Sequence, residues 1–277
     1  MGEPGRRIAV VPAYNEERTV VEVVSELYGY VDELVVVDDG STDGTRDAIG
    51  AWLPAGGHAR LLTFDTNRGM SAAYHLAFTD LRGRLDGGDL SADDLVFTVD
   101  ADGQHDLAVF EELHRRTIDE GLDALLVRRD LSTYPGYKQL GNRVMSAWAT
   151  LWAGGVHLYD VESGYRVFRL AALAEALDYY RGYRYSETVE VAVVLGRLGR
   201  VVRNDVLVGV PVFRSRTRMK DVVIDLVATP LAACRVTWRR PTGREVPSLR
   251  RPAAVTTALL TAVAIPIGVG VRAVRRR

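Results

Sequence analysis

Two aspartates, Asp100 and Asp102, stand two residues apart at the end of the apolar run Leu95 to Val99. In an extended strand alternate side chains share a face, so both carboxylates can point to one side. Two hard oxygen ligands on a pocket wall suit Mg2+ or Mn2+, ions that keep waters and take up phosphate oxygens from a substrate. Gln104 could supply a further oxygen or orient one. A divalent ion on a diphosphate would neutralise the charge that builds on a leaving nucleoside diphosphate. Asp-x-Asp pairs are common in ordinary turns, and this pair draws its meaning from its company. Pro12-Ala13-Tyr14-Asn15-Glu16 follows the apolar run Ile8 to Val11, Asp38-Asp39-Gly40-Ser41-Thr42-Asp43 follows Leu34 to Val37, and Asn67-Arg68-Gly69 follows Leu61 to Phe64. Ligands of open parallel sheets bind at the carboxyl ends of the strands. Four polar clusters at four such ends predict one shared site.

The same residues allow plainer readings. Asp39 is either a turn former or a hydrogen-bonding partner for a nucleobase, and Asp38 or Asp39 could cap the next helix. Glu16 either favours a helix dipole or contacts a ribose. The chain has neither the G-x-x-x-x-G-K-[ST] phosphate loop nor a G-x-G-x-x-G turn after the first strand, which disfavours mononucleotide kinases and dinucleotide oxidoreductases.

The elements that must position these residues alternate. Strands are predicted at Ile8 to Val11, Leu34 to Val37, Leu61 to Phe64, Leu95 to Val99 and Asp123 to Val127. Between them fall a helix capped by Asn15 with the stripe Val20, Val24, Leu27 and Tyr28, and helices near Thr45 to Leu53, Met70 to Leu81 and Leu107 to Ile118. This rhythm predicts an α/β fold, a mostly parallel sheet with helices on both faces. Further helices are expected at Lys138 to Trp152, Leu170 to Leu177, Ser186 to Leu198 and, interrupted by Pro230, Asp221 to Trp238; Val201 to Val212 reads as strand-rich.

The 277 residues suit one large domain with a tail. A net charge of −1 argues against nucleic acid as a partner. The single cysteine, Cys234, and a polar start without a secretory pattern predict a reducing, cytoplasmic setting. No charge occurs between Ala253 and Val271, and arginines bracket the stretch. At about 1.5 Å per residue it is roughly as long as a bilayer core is thick. A catalytic domain over residues 1–220, an amphipathic and linker segment over 221–251 and a helical, membrane-associating apolar tail over 252–277 are therefore expected.

The segments Val-Pro-Ala-Tyr-Asn-Glu-Glu, Val-Val-Val-Asp-Asp-Gly-Ser-Thr-Asp-Gly-Thr and Val-Asp-Ala-Asp-Gly-Gln-His resemble glycosyltransferase family 2, in particular the dolichyl-phosphate and polyprenyl-phosphate sugar transferases. The resemblance runs over roughly residues 7–220 and implies a GT-A fold, a nucleotide-diphosphate sugar donor and inversion at the anomeric carbon. It implies Pro12, Tyr14, Glu16, Val37 and Asp39 around the nucleoside, Asp100, Asp102 and Gln104 around the metal, and Ala101 beside the diphosphate. Val127-Arg128-Arg129 resembles a strand-end Gly-Ser-Arg, which gives Arg129 a phosphate-binding role; with the Gly-Ser absent, Arg128 stays open as well. Asp160-Val161-Glu162-Ser163-Gly164-Tyr165-Arg166 resembles a segment near the acceptor. Arg214 and Lys220 have the spacing of a basic pair meeting donor and acceptor phosphates, with Arg216 and Arg218 between them.

A lipid phosphate is already anionic at neutral pH and needs no base, only positioning and positive charge. Asp102, Arg129, Arg214 and Lys220 suit that catalysis, and the expected acceptor is polyprenyl or dolichyl phosphate at the cytoplasmic face of a membrane. A sugar hydroxyl would need a general base, with Asp160 or Glu187 as candidates. The alternatives are a transferase acting on a soluble or glycan acceptor and a non-catalytic nucleotide-sugar binding protein.

Overall fold

The computed structural model describes residues 5–182, 186–209 and 219–239, with side chains over 224–238 in the last span. Three strands form the centre: β1 (Arg7–Ala13), β2 (Glu33–Asp38) and β4 (Leu95–Thr98). Their near-continuous apolar runs are buried from end to end apart from Arg7, as expected of parallel strands covered on both faces. The seven-stranded sheet has the order β3-β2-β1-β4-β7-β5-β8, with β3 at Ala59–Thr63, β5 at Ala124–Leu126, β7 at Arg166–Arg169 and β8 at Val202–Arg203. All neighbours are parallel except β7, which runs antiparallel to both β4 and β5. Two short strands, β6 (Arg128–Arg129) and β9 (Leu207–Val208), pair beside it.

The antiparallel strand was not foreseen from the sequence, and it matters for the site. Thr98 and Leu126 both pair with Arg166. The residues entering β7 therefore emerge on the edge where β1, β2, β4 and β5 end.

The helices are α1 (Val20–Tyr28), α2 (Thr45–Trp52), α3 (Met70–Asp86), α4 (Phe110–Asp119, preceded by a 3-10 turn at Leu107–Val109), α5 (Gly136–Trp152), α6 (Leu170–Leu177), α7 (Glu187–Arg197) and α8 (Met219–Arg239). The expected Asn15 cap is corrected: α1 begins at Val20 after Thr19. Asn15 instead takes a left-handed backbone with φ of 55°. Its carbonyl Oδ1 accepts from Thr42 N–H at 2.8 Å and its own N–H donates to Ser41 Oγ at 3.1 Å, tying the loop after β1 to the loop after β2.

Pro230 does not interrupt α8. A proline removes the bond to the carbonyl four residues back, here Leu226. Trp148 of α5 donates its indole N–H to that carbonyl at 3.2 Å. The lost helix bond is replaced by one that locks α8 onto α5. The apolar stretch 253–271 lies outside the described residues, among which no helix is long and apolar enough to cross a membrane.

Candidate active site

A cavity of about 260 Å³ opens where the strands end. The loops after β1, β2, β3 and β4 all reach it, through Tyr14, Asp39, Gly69 and Asp102 among others. The far wall is built by Arg129 of β6, Asn142 of α5, Ser163 before β7 and Glu187 at the start of α7. Pro12, Glu16, Asp100, Ala101 and Gln104 line it too. Val37 does not: it is fully buried inside β2, one residue before the edge. Lys220 falls in the first turn of α8, and Arg214, Arg216 and Arg218 lie outside the described residues.

Asp38 and Asp39 divide their work. Asp38 is fully buried and holds the loop after β2, accepting from Arg46 Nε at 2.7 Å and Ser41 N at 3.1 Å. Asp39 accepts from the backbone of Arg68 at 2.7 Å and Gly69 at 2.8 Å and from Asn67 Nδ2 at 3.1 Å. Burial lifts its carboxyl above the ordinary value, outweighing those donors. It shapes the cavity wall by fixing the loop after β3. Gly40 makes this possible: at φ +65° its missing Cβ would stand 2.3 Å from the Thr66 carbonyl carbon.

The two aspartates after β4 differ in setting. Asp100 turns inward. His105 Nε2 lies 2.9 Å from its Oδ2 and donates to it, and the Tyr74 hydroxyl lies 3.4 Å from Oδ1. Burial would raise the Asp100 carboxyl, but the charges of His105 and Arg129 and the bonds from His105 and Tyr74 hold it below the usual range. Gly164 gives it room, since a Cβ there would stand 2.5 Å from Asp100 Oδ2. Asp102 closes the turn, accepting from Gln104 N at 3.1 Å and from the Gln104 side-chain amide. Gln104 thus orients Asp102 through its nitrogen in this structure. No cluster of three His, Cys, Asp or Glu side chains stands ready for a metal among the described residues. The site offers hard carboxylates on an open wall, the partial ligand set that suits an ion completed by substrate phosphates.

Arg129 is clamped. Its Nε and Nη2 donate to the two Asp160 oxygens at 2.8 and 2.9 Å, and its backbone N–H to Oδ2 at 3.0 Å. Asp160 is 1% exposed and its bonding capacity is filled, which leaves it a partner of Arg129 rather than a base. Arg128 points elsewhere, its guanidinium 5.2 Å from the centre of the Tyr159 ring.

Arg166 and Glu187 complete the far wall. Arg166 is fully enclosed, and burial brings its guanidinium down to about 10. It donates to the carbonyls of Ser163 at 2.7 Å, Val161 at 2.6 Å and Thr188, stitching the segment before β7 to α7. Glu187 accepts from the Ser71 hydroxyl, and burial pushes its carboxyl up to about 7 against that bond and the Arg166 charge. Asn142 was not singled out in the sequence, and Ser163 entered only as part of the segment expected near the acceptor. One signal was present: Asn142 and Ser146 sit on the same helical stripe as Met145, Ala149 and Trp152, polar residues on an otherwise apolar buried face.

The chain is similar to known glycosyltransferases. A family model described as glycosyl transferase family 2 matches residues 8–167. An undecaprenyl-phosphate mannosyltransferase from Micrococcus luteus is 30% identical over 207 residues, covering 70% of this chain and 79% of that protein. A UDP-N-acetylglucosamine–dolichyl-phosphate N-acetylglucosaminyltransferase from Methanococcus voltae is 26% identical over 210 residues, covering 69% of this chain and 80% of that one. Glucosyl-3-phosphoglycerate synthase from Mycobacterium tuberculosis, solved with Mn2+, UDP and glucosyl-3-phosphoglycerate, superposes with a TM-score of 0.59 at 21% identity over 83% of this chain and 80% of that one, a likeness of fold. The family model spans more than half of the chain and the mannosyltransferase is 30% identical over 70% of it, so the chain belongs to glycosyl transferase family 2.

Proposed function

We propose that this enzyme transfers a sugar, with inversion, from a nucleotide-diphosphate donor to polyprenyl phosphate at the cytoplasmic face of a membrane. In this reading the nucleoside lies over Pro12, Tyr14, Glu16 and Asp39, and the diphosphate beside Ala101. Asp102, oriented by Gln104, would hold Mg2+ or Mn2+ together with Asp100, and the ion would neutralise charge on the departing nucleoside diphosphate. The Mn2+ and UDP of the phosphoglycerate synthase complex and the dolichyl- and undecaprenyl-phosphate acceptors in the relatives' names support the donor, the metal and the acceptor. The chain's own residues do the positioning. Arg129, fixed in orientation by Asp160, faces the cavity as a preorganised positive charge; Arg214 and Lys220 are assigned the remaining phosphate contacts.

The observation that carries the lipid acceptor is an apolar surface on the two helices that wall the cavity. On α5, Tyr137, Leu140, Val144 and Leu151 recur every three to seven residues and are exposed, Tyr137 by 71%. On α8, Val227, Leu231 and Trp238 do the same, Trp238 by 83%. Trp148, between Val144 and Leu151 on the first stripe, is the residue that bonds α8 at Leu226 and joins the two. α5 carries Lys138 and Arg143 and no acidic residue, which suits anionic lipid headgroups. A soluble acceptor needs no such face. The test compares sugar transfer to polyprenyl phosphate, to polyprenol lacking the phosphate and to 3-phosphoglycerate, with vesicles present. Transfer to polyprenyl phosphate alone supports the proposal; preference for a soluble acceptor overturns it.

Glu187 favours a second reading. A cavity-lining carboxyl at about 7 is poised for proton abstraction from a hydroxyl acceptor, whereas a lipid phosphate requires no base. A transfer rate that rises through pH 7 and is abolished by Glu187→Gln would mark that reading.

A further inference from the structure

Buried polar atoms without partners are rare, and each calls for an explanation. Asn142 is 5% exposed and Ser163 is not exposed at all, yet Asn142 Oδ1 and Ser163 Oγ have no hydrogen-bond partner among the described residues. Both line the cavity, with Glu187. A group left unsatisfied in this way destabilises the fold, and a ligand that donates to it removes that cost.

Where that ligand sits follows from the strand order. Along the sheet edge β2, β1, β4, β7 and β5 succeed one another. With the nucleoside over the ends of β2 and β1 and the diphosphate at β4, the next group of an extended donor reaches the entrance of β7 and the helices above it. That is where Ser163, Asn142 and Glu187 converge. Arg166 builds this wall, its three side-chain bonds drawing Val161, Ser163 and the first turn of α7 together. Among the described residues the cations nearby are committed. Arg166 gives its donors to carbonyls, Arg129 is paired with Asp160, and the Lys138 charge acts on Glu162.

Resting on the donor assignment above, we infer that Asn142, Ser163 and Glu187 form the subsite for the transferred sugar, and that this sugar is an uncharged, hydroxyl-bearing hexose rather than a uronic acid. Asn142 Oδ1 accepts from one sugar hydroxyl and Ser163 Oγ exchanges a bond with another, while Glu187 accepts from hydroxyls and, once ionised above neutral pH, repels a sugar carboxylate. Arg166 is a positioning residue for all three.

Calorimetry separates this from the donor assignment itself. At pH 8, where Glu187 is ionised, UDP and GDP are titrated first with Mn2+; the series that binds is followed by its hexose and its uronate, UDP-glucose with UDP-glucuronate or GDP-mannose with GDP-mannuronate. Ser163→Ala and Asn142→Leu are each expected to weaken the nucleotide hexose about tenfold and leave the nucleoside diphosphate unchanged. The uronate is expected to bind at least tenfold more weakly than the hexose, and Glu187→Gln to narrow that gap. Equal losses for diphosphate and nucleotide sugar, no loss in either variant, or a uronate that binds as well as the hexose would each overturn the subsite. A wild-type protein that binds neither UDP nor GDP overturns the donor assignment, and the subsite with it. Ser163→Ala, the removal of one atom from a small side chain, keeps the test sound where Asn142→Leu disturbs α5.

Discussion

Replacing Glu187 by glutamine should stabilise the protein, and only above acid pH. The carboxyl is buried, and its folded-state pKa rises from an ordinary 4.5 to about 7. Below about pH 4.5 both folded and unfolded chains carry the proton and the residue is without penalty. As pH climbs, the unfolded chain ionises first; unfolding then releases a proton, so stability falls until the folded carboxyl also ionises near 7. At about 1.36 kcal/mol per tenfold, the accumulated loss at pH 8 is about 3 kcal/mol. Glutamine keeps an oxygen for the Ser71 hydroxyl and has no charge to desolvate. Its extra N–H groups add an offset that does not vary with pH. Asp39 and Glu162 are raised as well, so the wild-type curve alone is ambiguous, but they cancel in the difference between the two proteins. Urea denaturation of both, from pH 4.5 to pH 8, should show the difference growing by about 3 kcal/mol, or about 6–12 °C in Tm for a domain of this size. A difference that stays flat across that range would refute the buried ionisation.

Asp102→Asn should abolish most of the metal-dependent part of nucleotide-sugar binding, read by titration with Mn2+ and again with chelator; undiminished affinity in chelator would remove the metal from the donor site. Asp39→Ala should lower both stability, by about 2–3 kcal/mol, and nucleoside affinity, because two backbone N–H groups of the loop after β3 lose their acceptor; chemical denaturation alongside calorimetry detects a variant that loses only one. Leu140→Glu with Val227→Glu should reduce co-sedimentation with anionic vesicles and leave donor affinity unchanged, since both side chains point away from the cavity into solvent. Trp148→Phe should cost about 0.5–1 kcal/mol in urea denaturation, since the Leu226 carbonyl, already deprived of a helix partner by Pro230, loses its indole donor at an exposed site that water can reach.

The half of the site contributed by β1 to β4 is legible in the sequence because its cause is local. A short apolar run buries a parallel strand, and the polar cluster after it has to surface at the strand's end. Asp39, Asp100, Asp102 and Gln104 reach one cavity for that reason. On the far wall Arg129, the Asp160 to Arg166 segment and Glu187 are singled out in the sequence, but how they are held is not legible, because its causes are long-range. β7 is four residues flanked by arginines, and Arg166 is buried only because carbonyls of Val161, Ser163 and Thr188 surround it. Arg129 is held by Asp160, 31 positions away. Asn15 reads as a helix cap, but the Ser41 and Thr42 loop competes for it and wins. Pro230 reads as a break, and a tryptophan from another helix repairs the ladder.

In the proposed reaction this cavity passes a sugar from a metal-bound nucleotide donor to a lipid phosphate. Incubating the protein with donors labelled in the sugar, polyprenyl phosphate in vesicles and Mn2+, then extracting into organic solvent, tests it most directly. The label should enter the organic phase as an acid-labile phosphosugar, depend on added metal, and fail to do so with Asp102→Asn. Label that stays aqueous with every donor, or that enters the lipid equally well in chelator and in the variant, would contradict the account.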